Sequence, residues 1–131
     1  EEVLPACRRV GLSFMPYFPL ASGLLTGKYR KGQPPPPGTR LAGRAGEDGV
    51  MTDARLDVVE RLMVFAEQQG HTILELAMSW LATQPEIATV IAGATSPEQV
   101  RENVEAVGAW RLSADELADT EDLLGDEGSS R

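Results

Sequence analysis

Only two short apolar runs in this sequence have the length and flanking breakers of buried strands: LSFMPY at residues 12–17 and TVIAGA at residues 89–94. Gly11 and Pro19 bracket the first run, and its Pro16 is tolerable only near the strand end or off the hydrogen-bond ladder. Residues 1–9 read as the end of a helix that Gly11 terminates, so the sequence opens partway through an element. The expected order is helix, strand, long loop, two helices, strand, helix, helix. Strands alternating with helices imply βα units and a parallel sheet. Such a sheet is covered on both faces, and two strands are too few to build one. The chain is therefore expected to be a piece of a larger α/β fold, or a half that assembles with another copy.

The helices are legible from their caps and their period. Residues 53–69 place Leu56, Val59, Met63 and Ala66 on one stripe, with Thr52 as cap and Gly70 as stop. Residues 73–83 place Ile73, Leu76, Ala77, Trp80 and Leu81 on another, opened by the capping-box pair Thr72 and Glu75 and ended by Pro85. After the second strand, Ser96 is the cap, Pro97 the first helical residue and Gln99 the capping-box residue. Val100, Val104 and Val107 are that helix's expected buried stripe. Ser113 with Glu116 opens a last helix to about residue 124. One unit over residues 1–124 and a fraying tail over 125–131 are expected. Residues 21–51, rich in Gly and Pro with PPPP at 34–37, form a loop longer than the usual ~12–15 residues, a length associated with function. Within it residues 22–28 are expected to form one helical turn.

Charge narrows the ligand. The net charge is −8 over 131 residues, which argues against a nucleic-acid partner because phosphate neutralisation needs clustered Lys and Arg. The basic residues Lys28, Arg30, Lys31, Arg40 and Arg44 lie instead in the loop, an arrangement suited to a small anion or to plain solvation. The single cysteine, Cys7, cannot form an intramolecular disulfide and is most simply a small buried hydrophobe. With one histidine, His71, no His/Cys zinc site can form. No run approaches ~18 apolar residues, and the first residues lack a signal peptide's pattern, so no membrane span is expected and a cytoplasmic setting is.

Two stretches could carry chemistry. In VIAGATSPEQVREN, residues 90–103, a strand ends in Gly93, which lets backbone approach a ligand, and a capped helix follows at once. A helix N-terminus offers unpaired N–H groups and a positive dipole end, which suits a phosphate. Gln99 and Asn103, four apart, could turn polar groups towards one ligand. The same pattern also fits an ordinary capped helix. In PYFPLASGLLTGKY, residues 16–29, an aromatic at a strand end precedes a Gly-rich turn and a lysine. Tyr17 could stack a flat ring, and Lys28 and Arg40 could grip a diphosphate or a 2′-phosphate. A core tyrosine and a solvated lysine fit that stretch as well.

Taken together, these stretches resemble the aldo/keto reductase family. There a late strand ends in an aromatic followed by Ser-Pro-Leu, a small pair and Gly-Leu-Leu-Thr-Gly-Lys-Tyr. The last strand runs through Gly-Ala/Thr into Ser-x-x-Gln-x-x-x-Asn. Here the first reads YFPLASGLLTGKY at 17–29, the second GATSPEQVREN at 93–103, and ELAMSWL at 75–81 matches the Gln-Leu-Ala-Leu-x-Trp-Leu helix between them. The likeness covers nearly the whole chain, and is closest to the branch of bacterial oxidoreductases and potassium-channel β subunits. It implies an α/β fold, the C-terminal part of a (β/α)8 TIM barrel holding its last two strands and a C-terminal helix, with the site at the strands' C-terminal ends.

It also implies NADPH as cofactor. By resemblance Tyr17 stacks on the nicotinamide; Phe18, Pro19, Leu20, Ala21 and Ser22 wrap the pyrophosphate; and Lys28 and Arg40 meet phosphate or ribose. Gly93, Thr95, Ser96, Gln99, Glu102 and Asn103 would hold the adenosine end and its 2′-phosphate. Phe18 departs from the family's usual Ser, so a hydroxyl contact is replaced there by backbone contacts. The proton-donating Tyr of the family, with its Lys, Asp and His partners, belongs to early barrel strands upstream of this sequence, so no catalytic residue is expected here. His71, in the cap of a helix, is no substitute, nor is Tyr29.

Three readings follow. One is an NADP(H)-dependent reductase of aldehydes or ketones, represented by its cofactor-binding segment, with a small carbonyl substrate in the intact enzyme. Another is a non-catalytic nucleotide-binding or regulatory module. The third is a half-barrel, with exposed sheet edges, that pairs with the missing barrel half or with itself.

Overall fold

The computed structural model describes residues 2–42 and 49–125. Arg44 and the expected tail from residue 126 onward lie outside the described residues, as does residue 1. Helix α1, Val3–Val10, ends at Gly11, whose φ of 67° lets the Leu12 N–H turn back to the Cys7 carbonyl at 3.0 Å. α1 buries no residue, and Cys7 is half-buried rather than the buried hydrophobe expected.

The two expected strands meet, but only through isolated parallel bridges, Phe14 with Ile87 and Tyr17 with Ile91. The Phe14 N–H donates to the Glu86 carbonyl at 2.7 Å, the Ala88 N–H to Phe14 at 3.1 Å and the Ile91 N–H to Pro16 at 3.1 Å. The parallel direction agrees with the βα reading; the extent does not. Pairing begins at Glu86, ahead of the expected 89–94 run. Pro16 has no N–H to extend the ladder. Among the described residues each segment pairs only with the other, so no wider sheet holds them extended. Arg8 of α1 pairs with the buried Glu86 and holds its carboxyl below the usual range, tying α1 to this junction.

A 3₁₀ turn, Ala21–Thr26, follows, where one helical turn is expected. Tyr29 beyond it is fully buried, and its hydroxyl accepts the N–H of Leu41, also buried, at 3.4 Å. These two residues pin the outgoing and returning arms of the proline-rich loop to the core. α2, Asp53–Gln68, is capped by the Thr52 hydroxyl, which accepts the Arg55 N–H at 3.3 Å. It buries the expected Leu56, Val59 and Ala66, and a wider stripe with Val58 and Leu62. α3, Ile73–Thr83, has the expected closed capping box: Thr72 N–H to Glu75 Oε2 at 2.8 Å and Glu75 N–H to Thr72 Oγ1 at 3.2 Å.

α4, Pro97–Ala109, packs on α3 through buried Ala106, whose carbonyl accepts the Ser79 hydroxyl at 3.4 Å. Here an expectation fails. Val100, Val104 and Val107 are not a buried stripe: all three are exposed, Val104 by 70%. They line an open groove of about 220 Å³ with Met78, Val90, Ala92, Ala94 and Asn103. The apolar period is real, but α3 takes only the Ala106 side of the helix.

α5, Ala114–Gly125, starts with the Ser113–Glu116 reciprocal pair and extends one residue further than expected, so Gly125 belongs to the helix. Before it, Trp110 stacks on His71 with centroids 4.4 Å apart and donates its indole N–H to Glu116 at 3.3 Å. The core thus lies among α2, α3, the Tyr29–Leu41 loop and the Trp110–Leu112 connection. Among the described residues no helix is long and apolar enough to cross a membrane.

Candidate functional site

The pairing of Tyr17 with Ile91 is parallel, so the chain leaves both segments at the same end. From the first comes the 3₁₀ turn; from the second, Gly93 to Ser96 and then α4. The two stretches read as candidates from sequence therefore leave neighbouring backbone positions, which is the ordinary location of a site in a βα fold.

On the first side, Tyr17 is 73% exposed, its ring open for stacking rather than part of the core. Phe18 meets it edge-on, centroids 5.0 Å apart. The chain there is folded tightly: Phe18, Ala21 and Ser22 all have positive φ, at 60°, 46° and 59°. The Phe18 carbonyl accepts the Ala21 N–H at 3.0 Å, closing the turn. Three non-glycine residues in left-handed backbone within five positions is a costly local conformation, of the kind retained at binding sites. Gly23, at φ 96°, leaves room for Lys28, whose side-chain end would lie 3.1 Å from a Cβ placed there. Pro19, Leu20 and Ser22 are half-buried, and Ala21 is exposed. The Lys28 ammonium sits 5.4 Å from the Tyr29 ring centroid. Arg40, returning from the proline-rich arm, places its guanidinium carbon 5.0 Å from the Phe18 ring centroid. The loop therefore does bring Arg40 to the strand end.

On the second side, the Ser96 hydroxyl accepts the Gln99 N–H at 3.3 Å. Gln99 does not close a capping box onto Ser96. Its side-chain oxygen reaches one residue further back, accepting the Thr95 N–H at 2.8 Å and the Thr95 hydroxyl at 3.2 Å. That clamp fixes the loop between strand and helix and leaves the Gln99 amide NH₂ free of these contacts. The helix start favours negative charge: the Glu98 carboxyl is held below its usual range by its own backbone N–H, then by the Ser96 hydroxyl. Arg101 stands 3.5 Å from it. Gly93 is exposed, with nothing within 4 Å of where a Cβ would stand, so no crowding within the chain demands a glycine. Glu102 is exposed. Asn103 lines the groove beside the valines and shares no hydrogen bond with Gln99, although the two lie one turn apart.

The structure thus brings Tyr17 and Arg40 each against Phe18, and Thr95, Ser96 and Gln99 into one clamp. The Phe18–Arg40 contact is absent from the sequence reading, because neither a left-handed phenylalanine nor the return path of a proline-rich loop has a sequence period. A ring face open to solvent, an arginine against the adjoining Phe18 and a helix start that favours anions fit a flat aromatic ligand carrying phosphate. Among the described residues no group of His, Cys, Asp and Glu is arranged to hold a metal.

Comparison with known proteins supplies the class. The sequence profile of the aldo/keto reductase family matches residues 1–124, and the chain belongs to that family. It is 32% identical over 127 residues to the L-glyceraldehyde 3-phosphate reductase of Escherichia coli K12, covering 95% of this chain and 37% of that protein. A probable voltage-gated potassium channel subunit beta of Oryza sativa subsp. japonica is 35% identical over 126 residues, with 91% and 37% covered. The NADH-specific methylglyoxal reductase of Escherichia coli K12 is 34% identical over 115 residues, with 88% and 35% covered. In fold, the chain matches the glycerol dehydrogenase of Gluconobacter oxydans, a TIM-barrel member of the family, with a TM-score of 0.73 at 23% identity, covering 98% of this chain and 38% of that one. The chain spans a little over a third of the length of the curated relatives it matches.

Proposed function

We propose that residues 1–124 are the cofactor-binding, C-terminal portion of an NADP(H)-dependent aldo/keto reductase, followed by a short tail, with the proton-donating residues outside this chain. The observation that supports the reading is the shared strand end, from which the open Tyr17 ring and the run into α4 both emerge, with Arg40 held against the adjoining Phe18. A nicotinamide dinucleotide bound there would supply the hydride for reduction of a small aldehyde or ketone. Tyr17 stacks the nicotinamide, the turn from Phe18 to Ser22 wraps the pyrophosphate, and Lys28 and Arg40 offset phosphate charge. Gly93, Thr95, Ser96, Gln99, Glu102 and Asn103 hold the adenosine end, with the Gln99 NH₂ free to donate to a 2′-phosphate. The NADH-specific relative sets the alternative cofactor choice. A cytoplasmic setting is part of the same proposal.

A second reading is favoured by the apolar face that the strand pair and α4 leave open, including Leu12, Met15, Ile91 and Val104. It suits pairing with further barrel strands or with a second copy, whereas a nucleotide-binding module without turnover would use the strand-end site alone.

The test compares NADPH and NADH on wild type and Gln99→Ala. Loss of about 1–3 kcal/mol for NADPH with little change for NADH supports the assignment. Equal loss for both would remove Gln99 from 2′-phosphate recognition. Consumption of NADPH by this chain alone with a small aldehyde would overturn the placement of the catalytic groups elsewhere.

A further inference from the structure

Phe18 stands where the family resemblance calls for a serine, and its surroundings give it a different task. Its backbone lies in the left-handed region at φ 60°, locked by the Ala21 N–H on its carbonyl at 3.0 Å. A bulky side chain there carries strain, and in return the ring stands out from the turn, 51% exposed, beside Tyr17. Arg40 arrives from the other direction, on an arm with little freedom. Pro34 to Pro37 stiffen it, the Thr39 N–H and hydroxyl both donate to the Pro36 carbonyl, and Leu41 next to Arg40 is buried. Where the two meet, the guanidinium carbon lies 5.0 Å from the Phe18 ring centroid. Among the described residues Arg40 makes no ion pair.

The nature of that partner matters. A carboxylate would hold Arg40 by neutralising it and occupying its N–H donors. An aromatic face attracts the cation while leaving its charge and its in-plane donors available. The arginine is seated, yet still able to grip an anion.

We propose that Phe18 is a positioning residue: its ring seats Arg40 at the strand end, so that a dinucleotide phosphate meets an arginine already in place. The inference rests on the cofactor reading above and adds to it how this site replaces the lost serine hydroxyl. Preorganisation of this kind lowers the ordering cost that binding an anion imposes on a long, flexible side chain.

The experiment is a double-mutant cycle with NADPH as probe, read by calorimetry and by NMR of the Arg40 side chain. Phe18→Leu keeps the bulk and removes the π face. It is expected to weaken NADPH about two- to fivefold, the scale of an exposed cation–π contact. In an Arg40→Ala background the same change is expected to cost nothing more, and Phe18→Tyr is expected to restore wild-type affinity. In the free protein the Arg40 δ protons should be shifted upfield by the ring in wild type and Phe18→Tyr, and not in Phe18→Leu. Equal penalties for Phe18→Leu in both backgrounds would mean that the ring acts through the fold or by touching the ligand itself rather than through Arg40, which overturns the proposal while leaving the cofactor reading intact. If the wild type binds no NADPH, the cofactor reading fails, and the seating stands or falls on the upfield shift alone.

Discussion

The α2–α3 side and the strand–α4 side of this chain carry apolar patterns of similar quality but opposite outcomes. On the first, Leu56, Val59, Leu62, Ile73 and Leu76 are all within a few per cent of full burial, and the loop lends Tyr29 and Leu41 to the same core. On the second, Val100 and Val104 repeat at helical spacing, yet they and Leu12, Met15 and Ile91 face outward. Amphipathic period says that a face is meant to be covered. Whether it is covered depends on a partner the pattern does not name. The proposed cofactor site lies on this uncovered side, where strand ends, an open aromatic ring and a helix start come together.

The sharpest way to break this contrast is in the packed half. Leu62→Ala removes a side chain with nowhere to collapse, and is expected to cost about 3 kcal/mol in urea unfolding. A loss below about 1 kcal/mol would mean that the α2–α3 core is no better packed than the open side. Next in size is the cap of α3. Thr72→Ala is expected to cost about 1 kcal/mol, visible as a lower thermal midpoint with an unchanged fold.

The same cap has a pH signature. The Glu75 carboxyl is held below its usual range, chiefly by the Thr72 backbone N–H, with burial opposing and His71 assisting. Its folded pKa lies under the unfolded value, so its stabilisation is full above the unfolded pKa of about 4.3 and is lost as pH falls through the lower folded value. The stability gap between wild type and Glu75→Gln should therefore narrow on acidification below that range. A gap constant with pH would show that the carboxylate charge contributes nothing. The smallest effect belongs to the open side: Val104→Ala should change stability by no more than about 0.5 kcal/mol, and a core-sized loss would show that α4 is covered after all.

Much of this was legible in the sequence wherever the information is local. Thr52, Thr72 and Ser113 announce their helices through a side chain three residues from the N–H it binds, and all three bonds or boxes form. The first extended segment was legible, the second only in part: its pairing begins at Glu86, ahead of the expected run, and among the described residues it amounts to two isolated bridges, since a parallel ladder needs further neighbours. What depends on long-range partners was not legible. The buried Tyr29 reads as a loop residue, the α4 valines read as core, and Gln99 reads as a capping-box closer while binding Thr95. For the site, the family motifs singled out both stretches, but not that Phe18 and Arg40 would meet.

The most direct test of the cofactor assignment is calorimetric titration of the protein with NADPH and then NADH, with circular dichroism to confirm that the helices are present. Saturable single-site binding, tighter for NADPH and weakened by Arg40→Ala, is the predicted result. A folded, helical protein that takes up neither nucleotide would contradict the account, and would mean that the open strand end does not constitute a binding site by itself.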